Sequence, residues 1–284
     1  MQQLPVMESV KDAIGYTMSN ITLLVKASIF WVAIYTVLVG IFDFSGGDAY
    51  LQLIDDFFEN AAPTNAEEQY AAFMLFIEQL SDMGALVNWV YLVMIVVGIL
   101  AYYSIAIAWH RACLLDEVPP LVRLGKLEFK YFGYSILLAV VLYVIFVAIG
   151  AVIGVALAML STDASLAAIY PVIGMLTILL FLAFGRFTLV FPGIAVRDRR
   201  MSFRTSWAAT QGNSWRILGG TILCILPALV ISLIASLISA VSLPLVISLP
   251  IMMILQLLSG AFLLSFMSIC YQFLVPSPDE GDLA

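Results

Sequence analysis

Apolar and polar positions divide the chain into six long apolar runs, at residues 21–42, 87–109, 132–160, 166–196, 216–241 and 245–275. At ~1.5 Å rise per residue the shortest of them still covers ~33 Å, against a bilayer hydrocarbon core of ~30 Å. Each is expected to cross a membrane as a helix. The first run begins at Ile21, contains Lys26 and is not followed by a small-residue cleavage site, so it is expected to stay as a span. The fourth is too long for one straight span and contains Arg186 and Pro192. Residues 187–196 are therefore expected to run along the interface, kinked at Pro192, with Arg186 near the headgroups or in a protein-lined recess. Pro227 is expected to kink the fifth span and Pro250 to interrupt the sixth.

Shorter periodic segments lie between the runs. In residues 1–20, Val6, Val10, Ile14 and Met18 recur at helical spacing with Glu8, Lys11 and Asp12 elsewhere around the turn. This reads as an amphipathic helix on the membrane surface or on the protein's own loops. In the loop 43–86, Leu51, Ile54 and Phe58 share a face, and Thr64 with Glu67 forms a capping box ahead of Tyr70, Phe73, Ile77 and Leu80. Two amphipathic helices split at Pro63 are expected. Between 197 and 213, Ser202 as N-cap and Gly212 just past the end frame a short helix with Phe203 and Trp207 apolar and Arg200 and Arg204 cationic. Such a helix would lie flat on an anionic leaflet. Small residues at Gly150, Gly154 and Ala158, and at Ser232, Ser236 and Ser239, offer faces on which another helix can pack closely.

The expected fold is all-α: a polytopic membrane bundle of six transmembrane helices over residues 21–275, with amphipathic interfacial helices, a helical acidic periplasmic loop and a short acidic tail at 276–284. Composition agrees. With 63% hydrophobic and 11% charged residues and a mean hydropathy of +1.07, the chain has too little polar surface to cover a water-soluble globule.

Charge then sets direction. Residues 43–83 carry nine acidic groups and no Lys or Arg, whereas all twelve basic residues fall near the opposite ends of the six runs. By the positive-inside rule both termini are expected in the cytoplasm, and the protein is expected in a bacterial inner membrane. The acidic loop lacks the closely spaced oxygen ligands of an EF-hand, so a solvated acidic face is expected rather than a cation site.

Candidate chemistry is sparse. No phosphate-cradling glycine loop, HExxH, GxSxG or CxxC is present, and the cysteines Cys113, Cys224 and Cys270 are widely spaced. No catalytic, cofactor or metal residue and no nucleic-acid partner is expected. The one histidine, His110, is expected to make interfacial hydrogen bonds, and the alternative groups it with Arg111, Asp116 and Glu117 as an acid/base and phosphate-holding cluster on a lipid headgroup. Candidate headgroup contacts are Arg111, Arg123, Lys126, Lys130, Arg186, Arg197, Arg199, Arg200, Arg204 and Arg216, each worth ~1 kcal/mol beside an anionic leaflet. Trp109, Trp207 and Trp215 are candidate interface anchors. Ser236 and Gln256 are candidate polar residues of a cavity between kinked spans.

Residues 186–220 carry a proline-bearing span end, a charged turn, the pair Ser206-Trp207, then Thr210, Gly212, Asn213, Trp215 and Arg216. With Trp109-His110-Arg111, this pattern resembles uncharacterised bacterial six-span membrane proteins related to the membrane domain of some glycerophosphodiester phosphodiesterases. The resemblance covers about a quarter of the chain and implies a fold and a bacterial inner membrane; the phosphodiesterase barrel has no counterpart here. Three functions stay open: a non-enzymatic protein of lipid or envelope organisation or of a larger complex or homo-oligomer, a carrier for a small or amphipathic solute, and an enzyme acting on lipid headgroups.

Overall fold

The computed structural model describes residues 3–59, 66–158, 164–241 and 243–275. Eleven helices appear among the described residues: α1 Val6–Ser19, α2 Ile21–Phe44, α3 Gly47–Glu59, α4 Ala66–Asp82, α5 Ala85–Leu115, α6 Lys126–Ala158, α7 Ala164–Phe187, α8 Val190–Ala195, α9 Phe203–Ala209, α10 Ser214–Ala240 and α11 Leu245–Leu274. Six of them, α2, α5, α6, α7, α10 and α11, supply the segments long and apolar enough to cross a membrane, the fourth continuing from α7 into α8. Pro63, Thr64, the turn at 161–163 and the tail 276–284 lie outside the described residues.

The bundle is asymmetric along its length. Most buried side chains gather at the end that carries the basic residues, in three clusters. One joins α1, α10 and α11 through Val10, Ala13, Ile217, Phe262 and Phe266. A second packs α8 against α5 and α6, and a third joins α2, α5 and α11 around Trp31 and Trp109. A smaller cluster at the acidic end ties α3 to α2 and α5 through Phe42, Tyr50, Val87 and Met94. The apolar windows of α6 and α10 are only 6% buried. That is how a membrane helix differs from a soluble one: lipid tails solvate Leu, Val and Ile as well as a neighbouring helix does.

The structure moves several boundaries. Helix α5 runs six residues past Trp109 and stops at Asp116, whose left-handed φ of 51° ends the helix. Trp109 and His110 therefore lie fully buried inside the bundle, so Trp109 is not an anchor at the headgroups. Helix α6 begins at Lys126, which puts Lys126 and Lys130 on its first turns instead of in a loop. Pro250 does not interrupt α11: it stands in the second turn of a continuous helix, and α10 likewise continues through Pro227. Among the described residues nothing packs on Gly150 or Gly154.

Two short helices also depart from the expectation. Helix α1 docks against α10 and α11 and not on loops, burying Ser9, Val10, Ala13 and Thr17 and leaving Met7, Lys11 and Met18 exposed. Residues 187–196 do not run along the interface. The chain breaks at Thr188 and Leu189, and α8 tucks inward between α5, α6 and α11 with every residue from Leu189 to Val196 buried. Pro192 sits in the first turn of α8, where its missing N–H costs nothing.

Candidate headgroup site

One face of α11 organises the basic end. Ser265, Ser268 and Tyr271, at i, i+3 and i+6, together meet α1, α5 and the turn after α8. The Trp109 indole donates to Ser265 Oγ at 2.9 Å, and Thr17 of α1 meets the same oxygen at 2.8 Å. His110 Nδ1 lies 2.8 Å from Ser268 Oγ, and its Nε2 lies 3.3 Å from Tyr131 OH on α6. The Tyr271 hydroxyl donates to Asp198 Oδ2 at 2.7 Å. Asp198, 1% exposed, also accepts from the Arg200 backbone N–H at 2.9 Å and from the Arg200 guanidinium at 3.2 and 3.3 Å. Burial alone would raise the Asp198 carboxyl, but the hydrogen bonds from Arg200 and Tyr271 outweigh it and hold the group below its ordinary range.

This anchor shapes the loop that carries the charge. With Asp198 pinned inward and Arg197 at a left-handed φ of 65°, the turn leaves Arg197 and Arg199 exposed. The facing loop, between α5 and α6, is kept from helix by Pro119-Pro120 and fixed by Arg123, whose Nε donates to the buried Glu128 at 2.9 Å. Between the two loops lies an open groove of about 560 Å³, lined by the cations Arg123, Lys126, Lys130, Arg197 and Arg199. Glu128 is the one acid in its lining, and it is the ion-pair partner of Arg123.

The other five candidate cations lie outside the groove. Arg111 pairs with Glu117 and donates to the Ala195 carbonyl at 2.7 Å, and its hydrogen bond holds the Glu117 carboxyl below its usual range. Arg200 is committed to Asp198. Arg216 donates to Leu4 O at 3.0 Å and to Gln3 Oε1 at 2.7 Å, while Asn213 Oδ1 accepts from Leu4 N at 2.8 Å, so this pair fastens the N-terminal segment. Arg204 is exposed on α9. Arg186 occupies the recess alternative: its guanidinium lies 3.7 Å from the Trp207 ring centroid and donates to Trp207 O at 2.9 Å. The Arg186 carbonyl accepts from Ser206 Oγ at 2.7 Å, satisfying an acceptor at the end of α7.

The remaining candidates divide further. Ser202 caps α9 through a capping box with Thr205, as expected, and Gly212 takes the positive φ of 79°. Phe203 and Trp207, however, pack on Phe187, and Phe203 also on Tyr134, so α9 lies against its own protein. Trp215 is 68% exposed. The alternative grouping of His110 with Arg111, Asp116 and Glu117 is not assembled: His110 is buried on Ser268 and Tyr131, and Arg111 and Glu117 occupy each other. Ser236 and Gln256 do come together, in an open groove of about 430 Å³ lined by residues of α10 and α11 alone. No group of three or more metal-ligating side chains occurs among the described residues.

Sequence reading missed Asp198, Glu128 and the polar face of α11. Asp198 was masked by its neighbours in Arg197-Asp198-Arg199-Arg200, and a burial of 1% is not written in a charge run. The face of α11 did leave a signal: Ser265, Ser268 and Tyr271 put three polar groups at helical spacing in an apolar span.

The fold and the charged end together define an all-α, multi-pass membrane protein. Compared with protein-family models, with curated proteins and with solved structures, the chain matches none.

Proposed function

We propose that the protein is a non-enzymatic component of a bacterial inner membrane, with both termini cytoplasmic, that holds an anionic phospholipid headgroup in the groove between the α5–α6 loop and the α8–α9 turn. The observation that carries this reading is the convergence of five cations from two distant stretches of chain on one groove, with one acid already neutralised among them. Orientation by the positive-inside rule requires only that the cations lie at one end. It does not require Arg197 and Arg199 to share a groove with Lys126 and Lys130. At ~1 kcal/mol per cation near an anionic surface, Lys126, Lys130 and Arg197 alone supply on the order of 3 kcal/mol. Envelope or lipid organisation follows as the role, and the resemblance to bacterial six-span proteins is consistent with it.

The test is lipid retention. Wild-type protein extracted in mild detergent is expected to carry phosphatidylglycerol or cardiolipin in native mass spectra, and Lys126→Ala/Lys130→Ala is expected to lose it. Arg204→Ala, outside the groove, should keep it. Equal retention by the double variant overturns the proposal.

A second reading, a carrier for a small or amphipathic solute, draws on the groove that brings Ser232, Ser236, Ser239 and Gln256 together within the span region. Among the described residues only two helices wall that groove, so it opens sideways to lipid and is not enclosed as a solute passage would be. Headgroup binding is the stronger reading.

A further inference from the structure

Behind the charged end, three apolar cavities adjoin one another. One, about 410 Å³, is a cleft between α6 and α7, walled by Leu142, Tyr143, Phe146, Leu180 and Phe181. A second, about 330 Å³, lies between α5, α6 and α11 beneath Phe191 of α8. The third, about 280 Å³, reaches between α7, α10 and α11 as far as Cys270. Phe184 lines all three. Leu142 joins the first to the second, Phe181 the first to the third, and Tyr102, Leu264 and Met267 the second to the third.

The walls of this tract leave a ligand little to hydrogen-bond. Ser135 donates to Tyr131 O, Thr177 to Ile173 O, Thr188 to Gly185 O and Thr221 to Ile217 O, each at 2.9 Å and each along or at the end of its own helix. The Tyr131 hydroxyl meets His110. Tyr102 and Tyr103 bring phenol hydroxyls to the second cavity, and its other walls are predominantly apolar. Left empty, the tract would forfeit dispersion contacts along its whole lining. Its mouth is the α6–α7 cleft, on the side of two membrane spans where the surroundings are lipid tails.

From this we infer that the tract is a binding site for a single hydrocarbon chain, which enters between α6 and α7 and lies beneath α8 against Tyr102, Phe184, Leu264 and Met267. The chain belongs to a membrane phospholipid or to a free fatty acid; either offers the apolar, unbranched body the walls require. This site is separate from the headgroup groove, with which it shares no lining residue. One can fail without the other.

Position 260 provides a plug. Gly260 lines the innermost cavity, and a Cβ placed there meets nothing within 4 Å, so Gly260→Leu adds side-chain volume at a wall with room for its first carbon. Leu is also the better helix former. Ala139→Phe fills the second cavity from the α6 side.

The experiment uses full-length protein in phosphatidylcholine/phosphatidylglycerol vesicles, with a diazirine placed either on one acyl chain of phosphatidylcholine or on free palmitate. Photo-crosslinked peptides are mapped by mass spectrometry. Crosslinks to Tyr102, Leu264 and Met267 are expected, reduced at least about tenfold in Gly260→Leu or Ala139→Phe, while crosslinks to the outward-facing Val140 and Val144 persist. Labelling by the phospholipid probe assigns the chain to a bilayer lipid, and labelling by palmitate alone assigns it to a fatty acid. Interior residues unlabelled by both probes, or labelled equally in both plugged variants, overturn the inference.

Discussion

Asp198→Ala should destabilise the protein by about 3–5 kcal/mol, the usual result of removing one partner from a buried, hydrogen-bonded charge network. The carboxylate is 1% exposed and accepts from Tyr271 on α11 and from both the backbone and the guanidinium of Arg200. Truncation leaves the Tyr271 hydroxyl facing a void and frees the turn that presents Arg197 and Arg199. Asp198→Asn keeps an acceptor for Tyr271 and should lose less. Thermal unfolding in detergent is the readout, and a wild-type midpoint for Asp198→Ala would refute the anchor. The pH dependence has a definite sign. A carboxyl held below its unfolded value of about 3.9 contributes its full stability above that pH and loses it as pH falls through the lower folded value. Between pH 7 and 5 this group should therefore leave stability unchanged. Below about pH 4 wild type should weaken more steeply than Asp198→Asn.

Gly220→Ala should cost about 1–3 kcal/mol, although alanine is the better helix former by about 1 kcal/mol. Gly220 sits where α10 crosses α11, and a Cβ there would collide with the Phe266 ring, lying 2.6 Å from Cε2 and closer still to Cζ. Phe266 is 1% exposed and packed in the α1–α10–α11 core, so the ring must leave its packed position to make room. The neighbouring Gly219 supplies the comparison: its Cβ would meet nothing within 4 Å, so Gly219→Ala should be neutral or stabilising. Equal effects at the two positions would show that propensity, not the helix crossing, governs this stretch.

The spans were legible because a bilayer imposes a length and an apolar composition that few other structures satisfy. All six appear where the apolar runs put them. Their ends were less legible, for a physical reason. Trp109-His110-Arg111 has the composition of an interface, yet α5 continues through it because α1 and α11 supply Thr17, Ser265 and Ser268 as polar neighbours. Residues 187–196 are apolar enough to lie along an interface and instead hold the buried α8, which no local pattern distinguishes from an interfacial segment. The groove was half legible. Its five cations were all candidates, but so were five others, and only tertiary contacts separate Lys126 from Arg216, which is bound to the N-terminal segment.

The groove is made by two loops far apart in sequence, and the most direct measurement asks whether they act on one ligand. Phosphatidylglycerol affinity is measured by native mass spectrometry for wild type, Lys126→Ala, Arg199→Ala and the double variant. The expected result is that each single variant weakens binding and that the double variant departs from the sum of the two by at least about 0.5 kcal/mol, the signature of groups sharing one partner. Losses that simply add, or no loss in any variant, would contradict a shared headgroup site.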